Sequence, residues 1–405
     1  MTDETRPFDG LKVIDCASFI AGPAAATVLS DFGADVIKIE PPEGDAYRDL
    51  YKVPGYAHCE RNFPWELDSR NKRSLALDLK QPAGLAVLHR LLREADVFVT
   101  NLPLPARRRL KLDHETLEGQ YPRLIYASFT AYGENGPEAE KTGFDSTAYW
   151  ARSGLMDLVR SDHTVPPGRS VAGMGDHPSA MALFGAIVTA LYQRERTGRG
   201  GWVGTSLLAN GLWANGVMAQ GQLFGGTPPK RPPREQSPNP LTNQYRCRDG
   251  RWLILTVLNE ERQLGALAAA LECEELAGDA RFANTAGRRA NHVELVAILD
   301  RVFAARDLSD WRSRLDRAGI TFGVVGTTED ILDDRQMRET EVLVPFADGS
   351  GLTISSPMRL EGVTQVAPRR APATIGEHST QVLREAGFGD DEIRRLREDG
   401  VVAGI

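Results

Sequence analysis

One carboxylate in this chain stands where a helix should begin. Asp176 lies in the segment Gly173–Gly201, GMGDHPSAMALFGAIVTALYQRERTGRGG, between a glycine turn and an apolar stretch. Aspartate is a favoured N-cap residue, and Pro178 suits the first turn of a helix. The helix dipole, worth about 0.3–1 kcal/mol at its N-terminus, should help to keep this carboxylate ionised. Asp176 is therefore either an ordinary cap or a reactive group that attacks an activated acyl carbon or removes an acidic C–H proton.

Basic and polar residues follow one of the predicted strands. Asn101 and the arginines Arg107–Arg109 come after the strand predicted at Asp96–Thr100. In an open α/β sheet, ligands bind beyond the carboxyl ends of the strands. Guanidinium groups pair well with phosphates and carboxylates, so this position favours an anionic ligand. A solvated helix face is the other interpretation of the arginines.

Other common catalytic motifs are missing from the sequence. The chain has no GxSxG nucleophile elbow, no GxGxxG dinucleotide fingerprint and no GxxxxGK phosphate loop. The histidines are scattered without the spacing of metal ligands, so we predict no metal site. They are His58, His89, His114, His163, His177, His292 and His378.

The composition is that of a globular protein, with 41% hydrophobic and 25% charged residues. A length of 405 residues predicts two domains, and a net charge of -7 argues against a nucleic-acid partner. The four cysteines are far apart, which favours reduced thiols over a disulfide framework or a zinc site. The acidic opening MTDETRPFDG does not resemble a signal peptide, and no apolar run is long enough to span a membrane. We therefore expect a cytoplasmic enzyme.

Alternating strands and helices in the first half predict an open parallel α/β sheet. Leu11–Cys16, Ala24–Phe32 and Asp35–Glu40 form the first β-α-β unit. The pattern continues through the predicted elements Ser74–Leu79, Pro82–Ala95, Asp96–Thr100, Glu115–Gly119 and Leu124–Phe129. Two longer helices are expected at Ser146–Leu158 and Ser206–Phe224.

Composition divides the chain into four segments. We predict that residues 1–224 form the first part of a large α/β domain and that residues 327–405 return to it. Residues 225–240 include six prolines among sixteen residues, which is typical of a stiff linker. Residues 241–326 combine a hairpin turn at Asp249-Gly250 with helices, which predicts a smaller α+β domain. Those helices are predicted at Glu260–Leu271, Arg288–Ala304 and Asp310–Arg317.

Six blocks of the sequence, in the same order, resemble the family III CoA-transferases. They are LKVIDCASFIAGPAAATVLSDFGADVIKIEPPEGD, NKRSLALDLK, ADVFVTN, the GD of GMGDHPSA, TGRGG and IGEHSTQVLREAGFGDDEIRRLREDGV. This family, of the CaiB/BaiF type, includes formyl-CoA:oxalate and carnitine CoA-transferases and the related α-methylacyl-CoA racemases.

The resemblance implies an architecture and a reaction. In the family, the first and last parts of the chain form one domain, and two protomers interlock like links of a chain into a homodimer. The family's catalytic aspartate falls on Asp176, which would attack an acyl-CoA thioester to give an anhydride and then an aspartyl-CoA thioester. The N–H groups after Gly173 and Gly175 would stabilise the developing oxyanions by about 3–4 kcal/mol.

The resemblance also implies the ligands. Acyl-CoA and a carboxylic acid would be the substrates, and no cofactor would be bound permanently. The family's CoA contacts fall on Ala21, Leu77, Lys80, Asn101, Leu102 and Arg109. Of these residues, Lys80 and Arg109 would meet the phosphates of the nucleotide.

Two departures from the family pattern bear on the substrate and the reaction. Ile20 replaces a glutamine of some prototypes, and together with Phe19 it favours a bulkier, less polar acyl group. The racemases carry a histidine in a Gly-His-Asp segment, which is Gly143-Phe144-Asp145 here. Phenylalanine cannot transfer a proton, so CoA transfer is favoured over racemisation. A non-catalytic CoA-binding scaffold is a third hypothesis, and the intact glycine–aspartate turn counts against it.

Overall fold

The computed structural model describes residues 6–404. Residues 1–5, which begin the acidic segment predicted not to be a signal peptide, and residue 405 lie outside the described residues. The described chain forms two compact units. Unit 1 comprises residues 6–155, 169–220 and 336–404, and unit 2 comprises residues 156–168 and 221–335.

Twelve strands and seventeen α-helices make up most of the regular structure of the described residues. The strands are β1 (Lys12–Cys16), β2 (Asp35–Glu40), β3 (Arg73–Leu77), β4 (Val97–Thr100), β5 (Ile125–Thr130), β6 (Gly201–Ser206), β7 (Gln244–Arg246), β8 (Trp252–Leu255), β9 (Phe322–Val324), β10 (Leu343–Pro345), β11 (Leu352–Ile354) and β12 (Val402–Ala403). The helices are α1 (Ala21–Asp31), α2 (Phe63–Ser69), α3 (Pro82–Leu92), α4 (Leu104–Leu110), α5 (His114–Glu118), α6 (Leu155–Leu158), α7 (Asp176–Thr197), α8 (Leu207–Ala214), α9 (Gly216–Leu223), α10 (Glu260–Leu271), α11 (Glu274–Gly278), α12 (Thr285–Ala290), α13 (His292–Phe303), α14 (Leu308–Arg317), α15 (Arg335–Glu339), α16 (Ser379–Glu385) and α17 (Asp390–Glu398). A 3-10 turn covers Ala46–Lys52, and a π-helical segment covers Asp145–Ala151.

A seven-stranded sheet in the order β12-β3-β2-β1-β4-β5-β6 forms the centre of unit 1. Neighbouring strands are parallel, except that β12 runs antiparallel to β3 at one edge. The strands are mostly buried and rich in valine and isoleucine, as expected for a parallel sheet covered on both faces. The predicted α/β class with a large, mostly parallel sheet is confirmed. β12 places the C-terminal part of the chain in the same sheet as the N-terminal part.

Two predicted helices of unit 1 are interrupted. The helix predicted at Ser146–Leu158 is a π-helical segment followed by the short α6, because the chain turns at Gly154 with φ +87°. The helix predicted at Ser206–Phe224 is divided into α8 and α9 at Asn215. The side-chain amide of Asn215 donates to the carbonyl of Ser153 at 2.8 Å, so a contact outside the helix replaces a regular helical turn.

Unit 2 has its own sheet and hydrophobic core. β7, β8 and β9 form an antiparallel sheet, and the predicted hairpin at Asp249-Gly250 joins β7 to β8. Tyr245 stacks on Phe303 with ring centroids 4.9 Å apart. Trp311 packs edge-on against Phe303 and donates its Nε1–H to the carbonyl of that residue.

The helix predicted at Arg288–Ala304 in unit 2 is also divided, into α12 and α13. Asn291 lies between them, and its side-chain amide donates to the carbonyl of Gly287 at 2.9 Å. Asparagine competes for backbone groups in this way, which ends α12 although the apolar spacing continues.

Lys72 is a fully buried cation beside the turn that follows β1. Its Nζ donates to Asp15 Oδ2 at 2.8 Å and to the backbone carbonyls of Pro23 at 2.7 Å and Asp68 at 2.9 Å. Burial lowers the pKa of the Lys72 ammonium, and the charge of Asp15 opposes that shift. The three N–H groups of the ammonium therefore all have acceptors in the protein.

Lys38 makes a second buried ion pair at the same turn. Its Nζ lies 2.8 Å from Asp45 Oδ2 and also donates to the carbonyl of Ala17. Asp15 Oδ1 accepts the N–H of Ala17 at 3.2 Å. The side chains of the two lysines and two aspartates are at most 1% exposed. They supply partners to backbone groups that the sheet does not pair, in the turn after β1, in α1 and in α2.

Some features are absent from the described part of the chain. None of the helices of residues 6–404 is long and apolar enough to cross a membrane. Within the same residues, no group of three or more His, Cys, Asp or Glu side chains is arranged to hold a metal ion.

Replacing Lys72 with methionine should destabilise the protein strongly. The change leaves the Asp15 carboxylate buried without its counter-ion, which typically costs about 3–5 kcal/mol. Lys12→Met is the matched control, because Lys12 pairs with Glu94 at the exposed surface and such pairs contribute about 0–1 kcal/mol. Urea unfolding followed by circular dichroism measures the free energy of unfolding of both variants. Equal losses in the two variants would contradict the role assigned to Lys72.

Candidate active site

A cavity of about 700 Å³ opens at the carboxyl ends of β1, β4 and β5. It lies within unit 1 and is lined by the turns after these strands, by residues 139–146, by residues 169–173 and by Asp176, among others. This is the edge of the sheet at which ligands are expected in open α/β folds. The lining includes Phe19, Ile20, Ala21, Asn101, Leu102, Phe144, Asp145, Gly173 and Asp176.

Asp176 lines this cavity as the first residue of α7. Gly175 occupies the N-cap position, so the interpretation of Asp176 as the cap is wrong by one residue. Pro178 lies in the first turn, as expected, because the N–H that proline lacks would have no helical partner there. The Asp176 carboxylate therefore starts the helix without serving as its cap.

Asp145 supplies the carboxylate at the N-terminus of α7. Its Oδ2 accepts the N–H of Gly175 at 2.8 Å. This amide lies at the positive end of the helix dipole, which therefore acts on Asp145. Of the two N–H groups predicted to stabilise oxyanions, that of Met174 donates to the carbonyl of Val171 at 3.3 Å. That of Asp176 lies close enough to Asp145 to oppose the rise in the pKa of its carboxyl, which burial causes.

The surroundings of Asp176 raise its pKa to about 7. Burial is the largest cause, the charge of Asp145 is the next, and Asp68 acts in the same direction, whereas His177 lowers the pKa. The helix dipole was expected to help keep Asp176 ionised, but burial is the larger effect and raises its pKa, and Asp145 accepts the N–H at the helix terminus. A carboxylate with a pKa near neutrality is a stronger base and nucleophile once ionised, and such shifts are typical of functional sites.

Gly173 and Gly175 occupy positions in the turn before α7 at which a side chain would not fit. Gly173 has φ +80°, and a Cβ there would lie 2.8 Å from the ring of His177. A Cβ on Gly175 would collide with the ring of Tyr149 and lie 2.8 Å from Asp145 Oδ1. The glycine turn before α7 is therefore closely packed.

His177 faces a second buried carboxylate. Its Nε2 lies 3.0 Å from Asp68 Oδ1, and the hydroxyl of Tyr47 donates to Asp68 Oδ2. Asp68 comes from α2 and Tyr47 from the 3-10 turn, and both are buried. Burial lowers the pKa of His177, but its bond to Asp68 and the charges of Asp68 and Asp176 outweigh burial and raise it.

Two partly exposed aromatic rings form part of the cavity wall. Phe19 and Phe144 pack edge-to-face with ring centroids 6.1 Å apart, and they are 39% and 54% exposed. Phe19 has φ +62°, a conformation that is unfavourable for a residue with a side chain and that clusters at functional sites. Ile20 lines the cavity beside Phe19. The wall at the turn after β1 is therefore apolar.

Three of the residues expected to contact CoA line the cavity, namely Ala21, Asn101 and Leu102. Asn101 also joins the turns after β1 and β4. Its Oδ1 accepts the N–H of Ser18 at 2.8 Å, and its Nδ2 donates to the carbonyl of Ser18 at 2.7 Å.

The other three expected contacts, Leu77, Lys80 and Arg109, are not part of the cavity lining. Leu77 is buried in the core of unit 1, whereas Lys80 and Arg109 are exposed. The arginine cluster is divided as well. Arg107 lines the cavity but is buried and paired with Glu134 at 2.8 Å, so it is neither a solvated arginine nor a free one.

The sequence did not point to Asp68 or Tyr47, and it singled out Asp145 only as part of the segment Gly143-Phe144-Asp145. No motif or spacing in the sequence distinguishes Asp68 or Tyr47 from other polar residues. The segment Gly143-Phe144-Asp145 was the available signal for Asp145, because the racemases carry Gly-His-Asp at this position.

Known proteins match this chain over nearly its whole length. The model of CoA-transferase family III matches residues 8–379. The (R)-2-hydroxy-4-methylpentanoate CoA-transferase of Clostridioides difficile is 35% identical over 97% of this chain and 99% of its own. The cinnamoyl-CoA:phenyllactate CoA-transferase of Clostridium sporogenes is 33% identical over 98% of each chain. A crystal structure of a CAIB/BAIF family protein from Brucella suis has a TM-score of 0.84 at 30% identity, covering 94% of this chain and 100% of that chain.

The chain belongs to CoA-transferase family III. The predicted family and the predicted CoA-transferase class of enzyme are confirmed by these relatives. Relatives that transfer CoA use CoA thioesters as substrates, which fits the expectation for this chain.

Replacing Asp176 with asparagine should stabilise the protein above neutral pH. Between the unfolded pKa of about 3.9 and the folded pKa of about 7, the folded state holds a proton that the unfolded state has lost. Stability therefore falls as pH rises through this window, and Asp176→Asn removes that loss. We expect the variant to be more stable by about 2–4 kcal/mol at pH 8, with a smaller gain at pH 5.5. Urea unfolding at the two pH values, without CoA, measures the difference.

The matched control is Asp399→Asn, at an exposed aspartate of unit 1. Its free energy of unfolding should stay within about 0.5 kcal/mol of the wild type at both pH values. A pH-independent effect of Asp176→Asn would contradict the raised pKa.

Proposed function

We propose that the protein transfers CoA from an acyl-CoA donor to a carboxylic acid, with Asp176 as the nucleophile. The Asp176 carboxylate attacks the thioester carbonyl, the C–S bond breaks and CoA leaves as the thiolate, which gives a mixed anhydride. The thiolate then attacks the aspartyl carbonyl of the anhydride. This step releases the donor acid and leaves an aspartyl-CoA thioester.

The acceptor acid completes the cycle by the reverse route. Its carboxylate attacks the aspartyl thioester, which gives a second anhydride and free CoA thiolate. The thiolate attacks the acceptor's acyl carbon, forms the new acyl-CoA and restores the Asp176 carboxylate. One negative charge is carried through every step, and no proton is gained or lost.

The position of Asp176 is the observation that carries this proposal. Its carboxylate lines the strand-end cavity, and its pKa of about 7 leaves a substantial ionised fraction at neutral pH. The glycine turn before it is closely packed against His177, Tyr149 and Asp145, so the carboxylate stands on a rigid element. Rigid placement of the reacting group is what group transfer requires.

We place CoA along the turns after β1 and β4, where Ala21, Asn101 and Leu102 line the cavity. Lys80 and Arg109 are exposed outside the cavity, which suits contacts to the nucleotide phosphates. Leu77 is buried, so its side chain is directed to the core, and the backbone near it would make any contact with CoA.

We propose a donor and acceptor with a branched or aromatic side chain. Phe19, Ile20 and Phe144 give the cavity an apolar wall, and burying a side chain of leucine or phenylalanine size gains about 1.5–3 kcal/mol. The relatives from Clostridioides difficile and Clostridium sporogenes are named for 2-hydroxy-4-methylpentanoate and for cinnamoyl-CoA and phenyllactate, which have such groups.

Hydroxylamine should trap the acylated Asp176. After incubation with 4-methylpentanoyl-CoA or cinnamoyl-CoA, mass spectrometry should find a hydroxamate on the peptide that contains Asp176. Succinyl-CoA should give about tenfold less adduct, because its second carboxylate meets an apolar wall. Asp176→Ala should lose the adduct and about 1,000-fold or more of the turnover, whereas Asp399→Asn should keep both.

Other results of the same assays would favour the alternatives. No adduct with any of the three donors would contradict Asp176 as nucleophile and favour a CoA-binding scaffold. Asp176-dependent α-deuteration of an α-methylacyl-CoA in deuterated water, without transfer to an acid, would favour a racemase. Phe144 occupies the position of the racemase histidine, so we expect no such exchange.

We propose that the protein is a homodimer, as the family resemblance implies. α8 and α9 expose Trp213 and Val217 at 86% and 83%, and an unpartnered surface rarely presents such large apolar side chains together. Light scattering should give twice the chain mass of 44.4 kDa. The double variant Trp213→Glu, Val217→Glu should be monomeric, whereas Val293→Glu, at an exposed valine of unit 2, should remain dimeric. A monomeric wild type would contradict the proposal.

We propose a cytoplasmic location for this dimer. The cysteines Cys16, Cys59, Cys247 and Cys273 are all free, which is the state expected in a reducing compartment. Burial raises the pKa of the Cys16 thiol to about 12, so this buried cysteine is an unreactive core residue.

A further inference from the structure

We propose that Arg169 binds the carboxylate of the acceptor acid, and that of the donor acid as it leaves, on the wall of the cavity that Asp176 lines. This inference rests on the proposed function, because it assigns the free acids of that transfer to a residue of the same cavity. Arg169 differs from the other charged residues of the lining in having no partner within the described protein.

Three cations of the described chain line the cavity, and two of them are already paired. Arg107 lies 2.8 Å from Glu134, and Lys141 lies 2.8 Å from Glu138. The third cation is Arg169, and among the residues that the structure describes no hydrogen bond or ion pair engages its side chain. Its guanidinium is therefore free to take a ligand.

Arg169 is placed where such a ligand would enter. It begins a run of five consecutive residues, 169–173, that all line the cavity, and this run leads into the glycine turn before Asp176. At the other end of the run, Gly173 packs closely against the ring of His177. Arg169 itself is exposed, so its charged group is accessible from solvent. An anion that enters the cavity therefore meets a free cation on the segment that leads to the proposed nucleophile.

The negative charges of the lining explain why an acid needs such a cation. Glu140 pairs with Arg108 at 3.3 Å, but neither Asp145 nor Asp176 is paired with a lysine or arginine of the described chain. A carboxylic acid brings one more negative charge to this cavity, and like charges repel more strongly where water is partly excluded. A cation on the wall offsets that repulsion.

The chemistry of arginine suits a carboxylate. Its planar fork of N–H groups donates two parallel hydrogen bonds to the two oxygens, whereas lysine offers only a point charge. The phosphates of CoA are the other anions of the reaction. Lys80 and Arg109, which are exposed outside the cavity, are proposed above for those phosphates. The free cation inside the cavity therefore serves the acid.

Arg169→Gln should weaken the use of the acceptor and leave the donor step intact. With 4-methylpentanoyl-CoA as donor and 2-hydroxy-4-methylpentanoate as acceptor, the KM of the acceptor should rise about tenfold, because a bidentate, charge-assisted contact is lost. The KM of the donor should change less than about twofold, and the hydroxamate on Asp176 should form as in the wild type. Arg169→Lys should raise the acceptor KM only about threefold, because it keeps the charge without the fork.

Salt gives a readout that a merely structural role would not move. Between about 0.05 M and about 0.5 M salt, the acceptor KM of the wild type should rise severalfold, whereas that of Arg169→Gln should change little, because an exposed charge is screened. Arg196→Gln, at an exposed arginine of α7 outside the cavity lining, is the matched control and should follow the wild type. Thermal unfolding of the three variants shows whether a loss of activity reflects loss of the fold.

Calorimetry tests the binding of the acid without turnover. When 2-hydroxy-4-methylpentanoate is titrated into the CoA-saturated protein, its Kd should be about tenfold higher for Arg169→Gln than for the wild type and Arg196→Gln. An equal Kd in all three proteins, or no binding to the wild type, would overturn the proposal. A rise confined to the donor KM would overturn it as well, since Arg169 would then bind CoA. Failure of Asp176 to form a hydroxamate in the wild type would instead contradict the proposed function, whatever the calorimetry shows.

Discussion

Two buried ion pairs hold the turn on which the cavity depends. Lys72 and Lys38 bind the backbone carbonyls of Pro23, Asp68 and Ala17, and each lysine also pairs with a buried aspartate. The turn between these anchored carbonyls includes Phe19 in an unfavourable left-handed conformation, which persists because the flanking backbone is fixed at both ends. The position of the apolar wall of the cavity therefore depends on ion pairs that are buried away from the cavity.

Three carboxylates, those of Asp68, Asp145 and Asp176, lie near one another in the site although their negative charges repel. Asp145 accepts the N–H of Gly175 at the start of α7, and Asp68 accepts the hydroxyl of Tyr47 and lies 3.0 Å from His177 Nε2. Asp176 is left with the cost of burial and with like charges around it. Burial raises the pKa of Asp145 as well, but the N–H of Gly175 opposes that rise, whereas the charges of Asp145 and Asp68 add to the rise at Asp176.

The sequence was informative where structure is local. Runs of β-branched residues separated by glycine turns predicted the strands of the parallel sheet, and Asp176 could be placed at a helix start from Gly175 and Pro178. The sequence did not predict features that depend on a side chain far away along the chain. The capping of α7 by Asp145 spans 30 residues, and the burial of Arg107 against Glu134 spans 27, so no helical or strand period reports either contact. The two helix breaks were also not predicted. The break at Gly154 depends on its positive φ, and the break at Asn215 depends on a contact with Ser153.

The antiparallel pairing of β12 with β3 has a consequence for how the chain is made. On the ribosome β3 is complete long before residues 402–403 exist, so its outer edge presents unpaired N–H and C=O groups throughout the synthesis of unit 2. The nascent protein thus carries an open sheet edge, at the strand that Leu77 ends, until unit 2 has been made. Val402 and Ala403 then close that edge and protect it from edge-to-edge association.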